Sequence, residues 1–376
     1  MQWSIRNLLN PVITRCLIYG VSPFDLEAVL RKVEQKPLLN SRALENTWMA
    51  GWQEKAEYFI ALAEEERKKE NRISVSEYYL LASRCYYACY LLNSDMIEHK
   101  KTVYEKLLFT YREFLFQSDR RVEPVKIAFE ENSFLTAYLH LPDQNRFQAP
   151  FPCILIPAGY GSCKEELEIE AKPLVERGIA ALVIDMPGTG ESLFTYGTKL
   201  GGETVELALE KIMEFCSQHE SIDLERLGTY GLCMAGSFAY RAAAKYPQIK
   251  CCVNLFPLFI SMVDMNHIPG WMKHGRWAGF QMGDKSTEEF VKGMSIMEEG
   301  TVDCKYLLVH SSYDNWMELD KTQFIYDKAK GQKQEIIVED EPVFATKESV
   351  MHAMPVGEQM HWIKRKAADF CVEALR

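Results

Sequence analysis

The stretch TYGLCMAGS, residues 229–237, sets Cys233 between small residues, Gly231 two positions before it and Ala235 two after. Small neighbours at those positions permit a sharp strand-to-helix turn that makes the central side chain protrude, a position where serine is the usual nucleophile. A thiol is not a neutral replacement for that serine. Its ordinary pKa of about 8.5 falls beside a histidine and a helix N-terminus, so it attacks as a thiolate and leaves a thioester. Two further residues complete a set in the chain order nucleophile, acid, base. Asp314 ends the run CKYLLVHSSYD, and His352 lies in the loop after QEIIVED. An aspartate so placed orients the histidine and stabilises its charged form, and the histidine moves the proton. The negative oxygen formed by attack needs two backbone N–H donors. Met234 supplies one as the first amide of the helix after the turn. The loop PAGYGS supplies the other from Tyr160 or Gly159, where glycine lets the backbone approach closely.

Each of these residues has a rival or a plainer reading. Cys233 also suits a small buried thiol under a structural turn. His361, nine positions after His352, falls in GEQMHWIKRKAADFCVEAL, which reads as the final helix and makes it a surface or core residue. His310 sits inside the fifth apolar run, and His267 and His274 lie in a methionine-rich stretch. Asp264 is the substitute acid, and Asp314 also suits a turn cap. Asp185, in VIDMPGTGES, reads as a loop anchor. The PGTGES that contains its glycines lacks the G-K-[ST] of a phosphate loop.

The elements that must position this set divide the chain in two. Residues 1–120 show apolar positions at three- and four-residue intervals, which predicts four or five packed helices and a helical N-terminal (cap) domain. Within it, SVSE fits a capping box with Ser74 as N-cap and Glu77 reaching back. The tyrosines 78, 79, 86, 87 and 90 cover both faces of one helix, as packing or as the wall of a pocket. From Val122 the pattern alternates and breaks at EEN, a hairpin signal. Six apolar runs follow, separated by helical patterns such as CKEELEIEAKPLVERG and GSFAYRAAAKYP. Residues 121–376 are therefore expected to form a mostly parallel sheet with helices on both faces, entered by a hairpin. Ligands bind beyond the carboxyl ends of such strands. Residues 259–298 interrupt the rhythm with six methionines and two tryptophans. They read either as two core-filling helices or as a cap insertion whose Met262, Met265, Trp271 and Trp277 line a pocket for an apolar substrate.

Composition bounds the function. The 376 residues carry a net charge of −10, which argues against nucleic acid and anionic membrane as partners. No run reaches the ~18 apolar residues of a membrane span, and the N-terminus lacks the pattern of a signal peptide. Eleven cysteines without a C-x-x-C pair read as reduced thiols of a cytosolic protein. No Cys/His spacing suggests a metal, and no cofactor motif is present.

PAGYGSCKEE, VIDMPGTGES, YGLCMAG, Asp314 and the late His352 resemble the α/β-hydrolases with an N-terminal helical domain. These are the fermentation–respiration-switch-like esterases and the dihydropseudooxynicotine hydrolases, with fungal polyketide-shortening hydrolases similar to them. The resemblance runs over essentially the whole chain. It implies an α/β-hydrolase fold, cleavage of acyl or β-dicarbonyl C–C bonds, a helical cap over the pocket and a homodimer. The departure is Cys233, where that group usually has serine. Cysteine at this turn also occurs in dienelactone hydrolases and in Dieckmann-type cyclases. The expected function is thus hydrolysis of a small-molecule acyl or β-keto substrate through a thioester. The alternatives are cyclising release of a carrier-bound chain and a binding protein without catalysis.

Overall fold

A computed structural model of the chain describes residues 5–35, 41–92, 96–264, 266, 276–283, 286–295, 300–339 and 358–376. The described residues of Met1–Arg120 form one compact unit. Those of Arg121–Pro342 and Thr346–Arg376 form the other.

The first unit is helical: α1 Ile5–Ile18, α2 Pro23–Glu34, α3 Ser41–Lys68, α4 Arg72–Leu92 and α5 Ile97–Gln117. Ser22 accepts a hydrogen bond from the Asp25 N–H at 3.4 Å, and Pro23 opens α2, a start that satisfies one free donor and presets one φ. The three longer helices pack α3 on α4 and α4 on α5. Their contact buries Trp48 completely. Its indole N–H donates to the Ala88 carbonyl at 2.8 Å, and Trp52 meets it edge-on at 5.7 Å. The tyrosines of α4 serve this packing. Tyr79 donates to Glu64 at 2.7 Å, Tyr87 meets Tyr19 edge-on and Tyr90 leans on Tyr104. Ser74 is not an N-cap. The helix already starts at Arg72 and the Val75 N–H bonds to the Asn71 carbonyl at 3.1 Å, so Ser74 stands inside the first turn.

The second unit carries an eight-stranded sheet in the order β1-β2-β4-β3-β5-β6-β7-β8. Its strands are β1 Val122–Ala128, β2 Phe134–His140, β3 Phe151–Pro157, β4 Ala180–Asp185, β5 Ile222–Leu232, β6 Ile249–Leu255, β7 Lys305–Ser311 and β8 Lys333–Val338. β1 and β2 form the entering hairpin, β2 meets β4 antiparallel, and every other pairing is parallel. This is the mixed, mostly parallel sheet that the alternation of apolar runs and helical patterns implies. The helices are α6 Glu168–Val175, α7 Gly190–Phe194, α8 Gly202–Gln218, α9 Ala235–Lys245, α10 Arg276–Met282, α11 Thr287–Gly293, α12 Leu319–Lys328 and α13 Glu358–Leu375. Cys153 and Leu155 of β3 join one core with residues of α8 and α9. Alternate residues point to the opposite face. There α13 packs on α6 and on β5, β6 and β7. With both faces covered, β3, β4 and β6 are buried almost throughout, which is why they read as unbroken apolar runs.

One helix start departs from the sequence pattern. The helix expected from Cys163 begins only at Glu168, because the Lys164 N–H and ammonium both bind Asp185 and hold residues 164–167 in turns. Between β6 and β7, α10 and α11 form short helices after the 3₁₀ turn Ile260–Met262. α11 starts with a true capping box of Ser286 and Glu289. Among the described residues no helix is long and apolar enough to cross a membrane.

Truncating Trp48 removes a fully buried side chain and its hydrogen bond. Trp48→Ala should lower stability by about 3–5 kcal/mol. The denaturation midpoint followed by far-ultraviolet circular dichroism reads this, and an unchanged midpoint would contradict the packing described for α3 and α4.

Candidate functional site

The carboxyl edge of the sheet carries Cys233, Met234, Gly159, Tyr160 and Asp314. β5 ends at Leu232, and Cys233 follows with φ +56°, the left-handed region that a residue with a Cβ rarely adopts. Three backbone hydrogen bonds hold it there. Its N–H donates to the Leu255 carbonyl at 3.1 Å, and its carbonyl accepts from Gly236 at 2.8 Å and from Leu258 at 2.9 Å. Two glycines make room. A Cβ on Gly231 would stand 2.3 Å from the Ala235 carbonyl oxygen, and one on Gly236 would stand 2.7 Å from Pro257 Cβ. The small residues that the turn requires are thus Gly231 and Gly236, while Ala235 keeps its methyl group.

Cys233 also differs from its fellow cysteines in exposure. Nine of the eleven are buried, and only Cys233 and Cys304 are partly exposed. Burial pushes the thiols of Cys89, Cys216 and Cys304 up to about 12. It also raises Cys85, Cys153, Cys163 and Cys252. Cys251 is raised by a hydrogen bond with Cys371 and by burial.

Met234 follows as the N-cap of α9, buried, with its carbonyl accepting from the Ser237 N–H and hydroxyl at 3.0 and 2.7 Å. Gly159 lies against this turn: a Cβ there would come 3.1 Å from the Ala235 nitrogen and 3.7 Å from the Leu232 oxygen. Among the described residues, the N–H groups of Gly159, Tyr160 and Met234 donate to no protein acceptor. Buried backbone donors are nearly always paired. Amides left open beside a helix N-terminus suit an oxygen that carries negative charge.

Asp314 stands two strands away at the same edge. Leu232 pairs with Leu255 and Leu255 with Val309, so the ends of β5 and β7 are separated by β6 alone. The Asp314 carboxylate is buried, and its Oδ1 accepts from the Trp316 and Met317 N–H groups at 2.9 and 2.8 Å, which fixes its plane. His310 pairs with a different carboxylate, Glu335. The imidazole Nε2 lies 2.9 Å from Glu335, Nδ1 meets Thr322, and burial lowers the imidazole pKa against the pull of Glu335. Asp264, the substitute acid, is exposed and accepts from the Asn266 N–H.

His352, Trp271, Met265, His267 and His274 lie outside the described residues, as do the side chains of Trp277 in α10 and His361 in α13. Met262 is partly buried against the core that contains Phe259 and Val263. Asp185 is a loop anchor, as its place before the glycines suggests. Gly190 takes φ +46° next to it, and a Cβ there would meet the Asp185 carboxylate at 2.2 Å.

Around Asp185 lies a buried polar cluster that motif reading passed over. The Lys164 ammonium contacts Glu165 at 2.8 Å, Asp185 at 3.0 Å and Glu191 at 3.1 Å. Asp185 also accepts from the Glu191 N–H and the Thr136 hydroxyl. Burial opposes the charge on Lys164, and the surrounding carboxylates outweigh it and hold the amine charged. Burial raises the Glu165 carboxyl despite Lys164. The available signal was the lysine and paired glutamates of CKEE directly after a glycine-rich strand end.

A family model described as esterase FrsA-like matches residues 43–269. Hydrolase ORFZ of Pyricularia oryzae is 28% identical over 254 residues, 61% of this chain and 59% of its own. The 20-hydroxy-prefusarin hydrolase FUS2 of Gibberella moniliformis is 26% identical over 242 residues, 62% of this chain and 58% of its own. The matches thus span under two thirds of these relatives. Among solved structures, 2,6-dihydroxy-pseudo-oxynicotine hydrolase superposes with a TM-score of 0.76 at 18% identity, covering 96% of this chain and 95% of that one. The likeness to that structure is one of α/β-hydrolase fold.

The exposure pattern sets an order of thiol reactivity. At neutral pH, iodoacetamide should modify Cys233 ahead of the other ten cysteines, read by peptide mass spectrometry over time. Equal or faster labelling of Cys304 would contradict it.

Proposed function

Because the chain belongs to the esterase FrsA-like family, we propose that it is an α/β-hydrolase that acts through an acyl-thioester on Cys233. Its substrate is an acyl or β-keto compound of considerable apolar bulk. One observation carries this reading: the left-handed turn at Cys233, with the open amides of Met234, Gly159 and Tyr160 beside it. Relatives that bear the name hydrolase, one of them for 20-hydroxy-prefusarin, support a hydrolytic reaction.

The Cys233 sulfur adds to the substrate carbonyl while its proton passes to His352, assigned as base by chain order. Charge grows on the carbonyl oxygen, where the amides donate, and removal of one such donor costs about 10²–10³-fold in rate. Asp314 steadies the imidazolium. Collapse of the tetrahedral adduct expels an alkoxide, thiolate or enolate, which takes the proton from His352. Water then attacks the thioester, giving its proton to His352, and the acid leaves as the thiol reforms. A second reading rests on the sulfur itself. A thioester accepts carbon and nitrogen nucleophiles more readily than an oxoester, so an internal nucleophile would convert the same acyl-enzyme into a cyclised product released from a carrier.

Cys233→Ala should lower turnover by about 10⁴-fold or more with the fold intact. Turnover within tenfold of the parent would exclude covalent catalysis at this position. Cys233→Ser separates the two readings when products from one β-ketoacyl thioester are weighed by mass spectrometry. Hydrolysed acid from both proteins, at rates within about tenfold (roughly 1.4 kcal/mol of barrier), supports hydrolysis. Cyclised product from the cysteine protein alone supports acyl transfer.

A further inference from the structure

The loop that carries Gly159 and Tyr160 is fastened at both ends to the last two residues of β4. At one end the Ala158 N–H donates to the Ile184 carbonyl at 2.8 Å. At the other, the Lys164 N–H donates to Asp185 Oδ1 at 2.7 Å while its ammonium reaches Asp185 Oδ2 at 3.0 Å. Between these points the chain turns on a Ser162 N–H to Gly159 carbonyl bond of 3.1 Å, and Gly161 takes φ +64°. The middle of the loop rests on the Cys233 turn through Gly159. The loop therefore has three fixed points, and the one at Lys164 is made by a side chain.

Lys164 is 1% exposed, and it holds Glu165 and Glu191 as well as Asp185. Its ammonium also lies 5.1 Å from the centre of the Tyr138 ring on β2. Glu191 and Ser192 belong to α7. The Glu191 N–H returns to Asp185 at 2.9 Å, and the Ser192 hydroxyl donates to the Asp185 carbonyl at 2.8 Å. A buried charge is costly unless it is paired and hydrogen-bonded. A cluster of one cation and three carboxylates draws residues 158–164, the end of β4 and α7 together around a single ammonium.

We propose that Lys164 is a positioning residue for the oxyanion site: through Asp185 and Glu191 it sets where the Gly159 and Tyr160 amides point. This inference rests on the reading of Cys233 and its neighbouring amides as the reacting centre. Sulfur reactivity depends on the turn after β5. Stabilisation of the developing oxyanion depends also on the β3 loop. The two are separable, because Lys164 holds the β3 loop, the end of β4 and α7, while the turn at Cys233 is held by Leu255, Gly236 and Leu258.

The test compares Lys164→Met with Lys164→Arg, Glu191→Gln and Cys233→Ala in the full chain. Lys164→Met should lower kcat by about 100-fold, the scale of one lost oxyanion donor. KM on a β-ketoacyl thioester should stay within threefold, and the rate of Cys233 alkylation by iodoacetamide within twofold. An aldehyde of the same acyl chain, whose adduct with the thiol carries the oxyanion, should lose affinity in step with kcat. Lys164→Arg should restore kcat to within tenfold of the parent. Glu191→Gln, which removes one carboxylate and keeps the ammonium, should lower kcat by threefold or more with the same split from alkylation. It decides the matter if Lys164→Met does not fold. Turnover within threefold of the parent in folded Lys164→Met, or alkylation that falls in parallel with turnover, overturns the proposal. Cys233→Ala keeps the two readings apart. If it is inactive while Lys164→Met is active, the role of Lys164 fails alone. If it remains active while Lys164→Met is impaired with aldehyde affinity falling in step, the nucleophile is misassigned and the loop role stands.

Discussion

A residue with a Cβ held at a left-handed φ costs roughly 1–2 kcal/mol, and Cys233 is kept there by three backbone hydrogen bonds and two glycines. The local geometry after β5 follows from that turn. It ends β5, starts α9 at Met234 and presents a partly exposed thiol in a protein whose other cysteines are mostly buried. Strain of this kind persists where the surroundings over-determine it. Here the surroundings are the end of β6, through Leu255, Pro257 and Leu258, and the β3 loop through Gly159.

The β3 loop that brings the Gly159 and Tyr160 amides to this turn buries Ala158 and Cys163 and rests Tyr160 on the core. Lys164 and Asp185 provide its anchorage with charge. On the far face, Glu170 of α6 accepts from the Tyr230 hydroxyl of β5 at 2.9 Å and pairs with Lys364 of α13 at 2.8 Å. This ties the helix that follows the His352 segment to the strand that carries the candidate nucleophile. Buried polar groups thus fasten connections on both sides of the sheet, where apolar contact alone would leave their directions unspecified.

The inner strands were legible in the sequence because β3, β4 and β6 are buried almost throughout and read as apolar runs, as in CILIP and AALVID, between glycine-rich turns. Cys233 was legible because only small residues fit around such a turn. Helix starts were less so. SVSE and STEE carry the same capping pattern, yet only Ser286 and Glu289 of the latter form a box. At Ser74 the helix had already begun, which depends on how Asn71 leaves the preceding helix and not on the motif. The late start of α6 and the role of Lys164 were hidden for a related reason. Both depend on Asp185, 21 residues further along the chain and on a neighbouring strand, and periodicity reports only local order.

The proposed chemistry through sulfur at position 233 predicts an acyl-enzyme that can be trapped. The protein would be mixed with an activated β-ketoacyl thioester, quenched in acid within seconds, digested and weighed by mass spectrometry. The expected result is the acyl mass on the peptide that contains Cys233, removed by hydroxylamine as a thioester is. Turnover with no acyl mass on that peptide, or with the acyl group on another residue, would contradict it.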